Sequence, residues 1–304
     1  MVIVITGPTA TGKTELGVKL ARGLNGEIVS ADSMQVYKYM DIGTAKPSVD
    51  EMRGIPYHLI DFVSPLEDYS VARYINDASV CIDGILSRGK VPIIVGGTGL
   101  YIDSLLSGRE FSSRGDDELR KSLEEEFDTF GGDVMLKKLH DVDPESAEKL
   151  HVNNKKRIIR ALEVYETTGK TISLHDKETK LVPPRYRSIK FALNFSERSV
   201  LYDRIDRRVD EMISRGLEAE VKTLLEMGVT GSCTSMQAIG YKELLSMECI
   251  SDAADKIKRE SRRYAKRQLT WLKRDKDVIW ITWTGTPDYN LGVLKIMEYL
   301  YEKK

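Results

Sequence analysis

The chain has 304 residues, enough for one large domain or two modest ones, and its 41% hydrophobic and 31% charged residues are ordinary for a globular protein. No apolar run approaches the roughly 20 residues needed to cross a bilayer, and three widely spaced cysteines fit neither a disulfide framework nor paired zinc ligands. The formal net charge of −1 conceals an asymmetry: residues 110–150 carry 13 acidic and 6 basic side chains, whereas residues 251–276 carry 4 and 10. The second region is a candidate surface for a polyanion.

Short apolar strands alternate with helical segments over the first hundred residues. Strands are predicted at Val2–Thr6, Glu27–Ser30, His58–Phe62 and Val91–Val95, and helices at Leu16–Leu24 and Val71–Leu86. This alternation predicts an α/β fold in which helices cover both faces of a parallel sheet. No basic segment precedes the apolar residues of the first strand, so the start of the chain does not have the pattern of a signal peptide. We therefore expect a cytoplasmic protein.

A different pattern begins near residue 110. Residues 116–169 contain only helical segments, predicted at Glu118–Phe130, Val134–Leu139, Pro144–Leu150 and Asn154–Thr168. A strand is predicted again at Ser188–Phe195, followed by helices at Val200–Arg215, Leu217–Met227, Met236–Met247 and Ser251–Lys273 and a final strand at Val278–Thr282. We therefore expect residues 1–110 and 188–304 to form an α/β core, and residues 111–187 to form an all-helical insertion domain.

The strongest local signal lies between the first strand and the first helix. Residues 7–14 read Gly-Pro-Thr-Ala-Thr-Gly-Lys-Thr, which fits G-x-x-x-x-G-K-[ST] in the strand–loop–helix context that this motif requires. Backbone N–H groups of such a P-loop surround phosphate oxygens, Lys13 adds a full positive charge, and the Thr14 hydroxyl is suited to Mg²⁺. The residues expected around a phosphate-bearing ligand are Gly7, Pro8, Thr9, Ala10, Thr11, Gly12, Lys13 and Thr14.

Two further segments follow strands and are expected at the same edge of the sheet. Asp32 comes after the second strand, where it is either a general base or metal ligand, or the N-cap of a helix. The segment Gly96-Gly97-Thr98-Gly99 follows the fourth strand, and its glycines either let a ligand approach the backbone or form a plain strand-to-helix turn. Local sequence leaves both pairs of alternatives open.

The chain lacks a strong apolar strand ending in the metal-binding aspartate of ordinary P-loop ATPases. The closest run, Leu59-Ile60-Asp61, is short. These residues leave two alternative classes of protein open. One is a P-loop nucleotide or small-metabolite kinase, and the other is a non-catalytic RNA-binding P-loop protein. A kinase does not need long basic helices, and a binding module does not need Asp32 beside a phosphate site.

Two predicted helices carry clustered cations. Residues 155–162 are amphipathic, with Lys156 and Arg160 on one face. Ile158 and Ile159 fall on the opposite, buried side. The last long helix carries Arg259, Arg262, Arg263, Lys266 and Arg267 beside an aromatic stripe of Tyr264 and Trp271. Each helix has either a solvated basic face or a phosphate-contacting surface, and two such helices beside a phosphate site favour RNA.

Together with further stretches, these motifs resemble the bacterial tRNA dimethylallyltransferases, also called isopentenyltransferases, which modify adenosine 37 beside the anticodon. The matching stretches are Gly7–Thr14, Ala31–Tyr37, Gly43–Pro47, Tyr57–Asp61, Gly96–Tyr101, Arg157–Glu163, Gln237–Glu243 and Arg263–Gln268. They follow the family's order over nearly the whole chain, and the set is far more specific than the P-loop alone.

The resemblance implies a P-loop NTPase-like core with a helical insertion that embraces the tRNA anticodon stem-loop. It implies transfer of a dimethylallyl group from dimethylallyl diphosphate to N6 of the adenine, with release of diphosphate. By motif, Asp32 is the base, Thr98 lies at the reacting centre, and Lys13 and Thr14 hold diphosphate and Mg²⁺. Contacts with tRNA are implied for Asp32, Ser33, Met34, Gln35, Lys156, Arg157, Ile158, Ile159, Arg160, Gln237, Arg263 and Arg267.

The resemblance also sets expectations about what is absent. Eukaryotic relatives carry a C-terminal zinc finger, whereas no Cys/His set follows Cys249 in this chain, so no zinc is expected. We further expect no membrane association and no obligate protein partner.

Overall fold

The computed structural model describes residues 1–108, 116–247 and 249–302. They form two compact units, one comprising Met1–Leu106 and the chain from Tyr186 onward, the other lying within Ser107–Arg185. The expected domain boundary between residues 110 and 111 lies outside the described residues. Within the described part of the chain, no helix combines the length and apolar character needed to span a lipid bilayer.

A parallel sheet forms the centre of the first unit. Its strands are β1 (Val2–Thr6), β2 (Gly26–Ser30), β3 (Tyr57–His58), β4 (Val91–Val95), β5 (Ser188–Phe195) and β6 (Ile279–Trp283). They lie in the order β3-β2-β4-β1-β5-β6, and every neighbouring pair is parallel. The carboxyl ends of β1, β2 and β4 therefore meet at one edge, and the predicted fold class is confirmed.

Helices cover the sheet and build the second unit. In chain order they are α1 (Lys13–Leu24), α2 (Val49–Met52), α3 (Val71–Ser87), α4 (Gly99–Leu106), α5 (Asp117–Val142), α6 (Pro144–Ala147), α7 (Lys155–Thr168), α8 (Ile172–Lys180), α9 (Arg198–Ser214), α10 (Leu217–Glu226), α11 (Tyr241–Ser246), α12 (Ile250–Leu272) and α13 (Tyr289–Glu302). A short 3₁₀ helix spans Ser235–Gln237. Helices α5 to α8 belong to the second unit and the others to the first.

The strands place their side chains alternately in two hydrophobic cores. On β1, Val2 and Val4 belong to one core, whereas Ile3 and Ile5 belong to the other. Successive side chains of a strand point to opposite faces, so a sheet covered on both faces needs apolar residues at every position. This requirement explains the uninterrupted apolar run that marked β1 in the sequence.

The second unit has a separate core formed by α5, α6 and α7. Its buried residues include Leu123, Leu139, Ile158 and Leu162. Helix α5 contains a kink at Gly131, whose φ of 82° is non-helical. The kink lies between the two helices that the sequence predicts at Glu118–Phe130 and Val134–Leu139.

The third strand and one helix differ from the sequence-based prediction for reasons visible in the backbone. The strand expected at His58–Phe62 is limited to Tyr57–His58, because Leu59 and Asp61 adopt left-handed φ values of 60° and 56°. The helix expected at Met236–Met247 is interrupted at Gly240, whose φ is 106°.

Four helices were absent from the prediction: α2, α4, α8 and α13. Helix α8 follows α7 in the second unit, and α13 packs against α1 beyond the last strand. In α13, Gly292, Ile296 and Leu300 are buried at intervals of four residues. That interval is the sequence signal for its core-facing side.

Candidate functional site

The P-loop joins β1 to α1, and two of its glycines are required by its shape. Gly7 and Gly12 have φ values of 142° and 87°. A Cβ atom at Gly7 would lie 2.6 Å from the carbonyl oxygen of Leu193, and one at Gly12 would lie 2.4 Å from the hydroxyl of Tyr289. The loop is thus held closely against β5 and α13, and larger residues do not fit at either position.

Lys13 is held inside the P-loop by a hydrogen bond to the loop's own backbone. Its Nζ donates a hydrogen bond to the carbonyl oxygen of Pro8 at 2.7 Å, and Thr11 Oγ1 donates to the same oxygen at 2.8 Å. Burial and the nearby Arg208 lower the pKa of Lys13 from 10.5 to about 7, against the opposing charge of Asp32. A bound anion stabilises the protonated lysine, so anion binding and protonation of Lys13 favour each other.

Two arginines of α9 reach the P-loop, and sequence analysis missed both. Arg204 Nε donates to the carbonyl oxygen of Ala10 at 2.9 Å, and Arg208 Nη1 donates to Thr9 Oγ1 at 3.3 Å. Their i, i+4 spacing, which places both on one face of a helix, is the signal that could have found them. They line a cavity of about 390 Å³ together with Ala10, Gly12, Thr14, Arg207 and Arg215.

Asp32 lies half-buried in the turn that follows β2. Its Oδ1 accepts hydrogen bonds from the backbone N–H groups of Met34 at 2.9 Å and Gln35 at 3.3 Å. Residues 33–36 form turns and not a helix, so the helix N-cap alternative is wrong: Asp32 caps a turn. The same side chain also lines a second cavity of about 280 Å³. Asp32 therefore both caps the turn and borders the cavity.

The glycine-rich segment after β4 brings Thr98 next to the Asp32 turn. A Cβ atom at Gly96 would lie 2.2 Å from the carbonyl oxygen of Ala31, so only glycine permits this close passage. Thr98 Oγ1 accepts a hydrogen bond from the Ser33 N–H at 3.1 Å, and the Thr98 N–H donates to the Ala31 carbonyl oxygen at 3.1 Å. The segment is thus a tight strand-to-helix turn that also carries a hydroxyl to the Asp32 turn.

Helix α12 contributes a buried amide that connects two loops of the site. Gln268 Oε1 accepts a hydrogen bond from the Thr9 N–H at 3.0 Å, and its Nε2 donates to the Gly97 carbonyl oxygen at 3.0 Å. A Cβ atom at Gly97 would lie 2.3 Å from that Nε2. Gln268 lies in one of the matching motifs, but its sequence context indicates no role, because its partners are remote in the chain.

Tyr264, one turn before Gln268, lies near both Asp32 and Thr98. Burial and the charge of Asp32 raise the pKa of Tyr264 to about 12, although a hydrogen bond with Thr98 opposes the shift. The phenol therefore stays protonated near neutral pH and is available as a hydrogen-bond donor at the site.

The cavity beside Asp32 combines apolar walls with polar groups. The apolar residues that line it are Met34, Ile205, Val209, Met212, Ala238, Ile239 and Ile257. Its polar lining includes Thr9, Ser33, Thr44, Arg208, Gln237, Tyr264 and Arg267. Arg208 and Met212 also line the cavity beside the P-loop, so the two cavities adjoin.

Not every residue of the first unit that was expected to contact tRNA faces this cavity. Ser33, Met34, Gln237 and Arg267 line it, together with Asp32. Gln35 turns its Nε2 towards the carbonyl oxygens of Thr44 and Ala45, at 3.1 and 3.2 Å. Arg263 is exposed on α12, where it pairs with Glu260 at 2.7 Å.

The predicted tRNA-contacting residues of the second unit divide into two groups. Lys156 and Arg157 are exposed on α7, and Arg160 is partly exposed with Nη1 2.9 Å from an oxygen of the buried Glu163. Ile158 and Ile159 are buried in the core of the unit, with 0% and 3% exposure. The implied contact of these two side chains with tRNA is therefore corrected: their apolar atoms pack inside the unit and do not face a ligand.

The fold and the site define a P-loop protein in which a cavity lined by arginines and P-loop residues adjoins a partly apolar cavity with a carboxylate at its edge. The chain belongs to the IPP transferase family: the family model described as IPP transferase matches residues 35–275, and one described as isopentenyl transferase matches residues 1–63. Membership in the family that the motifs resemble is thereby confirmed.

Individual relatives cover nearly the whole chain. The tRNA dimethylallyltransferase of Acetivibrio thermocellus is 52% identical over 285 residues, which cover 92% of this chain and 91% of that protein. The structure of the tRNA isopentenylpyrophosphate transferase from Bacillus halodurans has a TM-score of 0.74 at 42% identity, covering 99% of this chain and 96% of that one. The structure of a eukaryotic dimethylallyltransferase acting on tRNA has a TM-score of 0.85 at 31% identity, covering 99% and 79%. These similarities support the transferase interpretation and not the kinase alternative.

Proposed function

We propose that this protein transfers a dimethylallyl group from dimethylallyl diphosphate to N6 of adenosine 37 in the anticodon loop of tRNA and releases diphosphate. The observation that carries the proposal is the adjoining pair of cavities. One is bordered by the P-loop and arginines, and the other by Asp32 and apolar side chains. Such a pair suits a donor with a diphosphate end and a hydrocarbon end, together with an acceptor that must lose a proton.

The donor fits the two cavities through complementary chemistry. Backbone N–H groups of the P-loop, Lys13, Arg204 and Arg208 provide positive charge for the diphosphate. The five-carbon group can then lie against apolar residues such as Val209 and Met212, which line the adjoining cavity. This division predicts that affinity for the diphosphate and selectivity for the hydrocarbon depend on different side chains.

The reaction forms one bond and breaks another at the same carbon. The N6 atom of adenine attacks C1 of the dimethylallyl group, the C1–O bond breaks, and its electron pair leaves with diphosphate. The N6 proton passes to Asp32, and a positioned carboxylate of this kind contributes typically 10²–10⁴-fold to a rate. Lys13 and Arg208 stabilise the charge that develops on the leaving group. An adenine in a stacked loop is unreachable, so it must be flipped towards Asp32 and Thr98.

We propose Mg²⁺ as the metal that accompanies the diphosphate. Thr14 lines the P-loop cavity, and the carboxylates of Glu51 and Glu211 border the same cavity, so the available ligands are the hard oxygens that Mg²⁺ prefers. Within the described part of the chain, no group of three or more His, Cys, Asp or Glu residues forms a metal site. Thr14, the diphosphate and water are the proposed ligands. Bound Mg²⁺ supplies charge neutralisation for the leaving diphosphate.

For tRNA, we propose that residues 111–187 form an RNA-contacting domain and residues 1–110 and 188–304 form the catalytic core. Lys156 and Arg157 are exposed and able to contact phosphates, as are Arg263 and Arg267 on α12. Because the proposed acceptor is tRNA, we place the reaction in the cytoplasm.

Incubation with an unmodified tRNA and dimethylallyl diphosphate, followed by nucleoside mass analysis, tests the proposal. We expect one adenosine to gain the mass of a dimethylallyl group, and a tRNA carrying guanosine at position 37 to remain unmodified. Lys13→Ala should impair donor handling while it leaves tRNA affinity nearly intact. ATP turnover stimulated by a small metabolite, together with no change in the tRNA, would contradict the transferase function.

A further inference from the structure

Four hydrogen bonds converge on the carboxylate of Glu220 in α10. Its Oε2 accepts from the backbone N–H groups of Asp41 at 2.9 Å and Ile42 at 2.8 Å. Its Oε1 accepts from the Gly43 N–H at 3.1 Å and from the Tyr241 hydroxyl at 2.6 Å. A carboxylate that accepts several donors, three of them consecutive backbone amides, fixes a loop more firmly than a neutral side chain, because hydrogen bonds to a charged group are stronger.

The segment held by Glu220 belongs to the wall of both cavities of the site. Gly43 and Thr44 line the cavity beside Asp32. Ile42, Ala45 and Pro47 line the cavity beside the P-loop. A displacement of residues 41–47 therefore changes the shape of the cavity beside the P-loop and of the cavity beside Asp32 together.

Close packing leaves the segment one position against α10 and α11. A Cβ atom at Gly43 would lie 2.4 Å from the ring of Tyr241 and 2.8 Å from Leu217. Burial and the adjacent Glu220 raise the pKa of Tyr241 above its usual range, so its hydroxyl remains a donor to the carboxylate. The ring of Tyr241 thus packs against Gly43, one of the three residues whose N–H groups Glu220 holds.

The other end of the segment is held by different groups. Lys46 Nζ lies 2.5 Å from Asp41 Oδ1, 2.7 Å from Asp61 Oδ1 and 2.7 Å from the Tyr37 carbonyl oxygen. Gln35 Nε2 contacts the carbonyl oxygens of residues 44 and 45. Gln35 thus holds two carbonyl oxygens of the segment, and Asp61 and the Tyr37 carbonyl oxygen hold its Lys46 side chain. The N–H groups of residues 41–43, by contrast, are held by Glu220.

We propose that Glu220 is a positioning residue for the transfer reaction: by holding the N–H groups of residues 41–43, it sets the wall shared by the diphosphate cavity and the Asp32 cavity. The inference rests on the proposed function, because the effect on rate requires that both substrates occupy these cavities. Catalytic geometry is sensitive to such a wall, since a displacement of about 1 Å can cost on the order of 10²-fold in rate.

Glu220→Gln is the most direct variant, because it keeps the size of the side chain while it removes the charge and turns an NH₂ group towards donors. We expect amide hydrogen exchange at residues 41–43 to accelerate by about tenfold or more. We also expect the single-turnover rate at saturating tRNA and donor to fall by about tenfold or more, with the Kd for tRNA nearly unchanged. Tyr241→Phe removes one of the four donors and should produce smaller changes of the same kind.

Glu218→Gln is the matched control, because Glu218 is exposed on the same helix, and it should leave exchange and rate unchanged. Glu220→Asp should recover part of the lost rate, since it restores the charge. Thermal unfolding of each variant identifies loss of folded protein, and rates are compared per folded molecule. If Glu220→Gln affects only thermal stability, with wild-type exchange at residues 41–43 and a wild-type single-turnover rate, Glu220 has no positioning role.

Failure of the proposed function gives a different result from failure of this inference. If the wild-type protein does not modify tRNA, the transferase proposal fails, and the wall is then assessed from exchange at residues 41–43 and from the binding of inorganic diphosphate. Unchanged exchange and unchanged diphosphate affinity in Glu220→Gln overturn the positioning role whatever the reaction.

Discussion

The side-chain oxygen of Gln268 accepts the backbone N–H of Thr9 at 3.0 Å, although the two residues are 259 positions apart in the chain. The same amide donates to the Gly97 carbonyl oxygen, so the P-loop and the turn that carries Thr98 are connected through one buried side chain. A glutamine suits this position because one amide group both accepts and donates.

Gln268→Ala is expected to lower kcat/KM for the donor by about tenfold or more and to reduce the free energy of unfolding by about 1–3 kcal/mol, because it leaves buried backbone groups without partners. Steady-state kinetics and urea unfolding measure the two effects. Thr270→Ala is the control on the same helix, since the Thr270 hydroxyl donates to the Lys266 carbonyl oxygen of that helix. An unchanged kcat/KM in folded Gln268→Ala would show that the connection has no part in donor handling.

Replacement of Asp32 separates its structural contribution from its proposed chemistry. An asparagine keeps an oxygen for the Met34 and Gln35 N–H groups, so Asp32→Asn should fold normally, whereas Asp32→Ala should lose about 1 kcal/mol of stability. If Asp32 takes the N6 proton, Asp32→Asn should bind both substrates and lose about 10²-fold or more in the chemical step. Single-turnover rates at saturating tRNA and donor make the measurement, and a near-wild-type rate would leave Asp32 only a turn cap.

Donor binding should depend on the protonation of Lys13. In the free protein the pKa of Lys13 is about 7, so the side chain loses its charge as pH rises through neutrality. The diphosphate favours the charged lysine and raises its pKa on binding, so binding takes up a proton above pH 7 and affinity falls as pH increases. Calorimetric titration from pH 6 to pH 9 in buffers of different ionisation enthalpy measures this uptake.

Lys13→Met is the control for that titration. The donor ionises in the same way in both titrations, so a difference in proton uptake between the two proteins belongs to Lys13. We expect the variant to bind donor more weakly and to lose the part of the pH dependence that belongs to Lys13. Equal proton uptake by wild type and Lys13→Met would contradict the coupling.

The cations of α7 should contribute unequally to tRNA binding. Arg157 is exposed, so Arg157→Ala should reduce the slope of log Kd against log salt concentration by about 0.7–0.9, whereas Arg157→Lys should retain it. Arg160 already pairs with the buried Glu163, and Arg160→Ala should also lower stability by leaving Glu163 with fewer partners. Binding measured at several salt concentrations distinguishes the cases, and an unchanged slope for Arg160→Ala would assign Arg160 a structural role.

Local sequence was sufficient where one segment carries all the required chemistry. The P-loop could be predicted because a buried strand, glycines at positions 7 and 12, Lys13 and a helix start are contiguous, and each is dictated by its own backbone or charge. Strand β5 was predicted with the bounds that the structure gives it, Ser188–Phe195. The eight matching motifs added the family and its reaction, which no single motif specified.

Tertiary structure decided the features that depend on partners remote in the chain. Whether Asp32 caps a helix or a turn depended on the path of the backbone after β2, which passes close to β4 and the Thr98 turn. Arg208 and Gln268 lie on helices far from the P-loop in sequence. The i, i+4 spacing of Arg204 and Arg208 marks a shared helix face, but neither segment reveals that Thr9 is the partner of both Arg208 and Gln268. Glu220 likewise appears as an ordinary helical glutamate until folding brings the N–H groups of residues 41–43 to its carboxylate. Motifs are local in sequence, whereas hydrogen-bond partners are local in space, and only the folded chain relates the two.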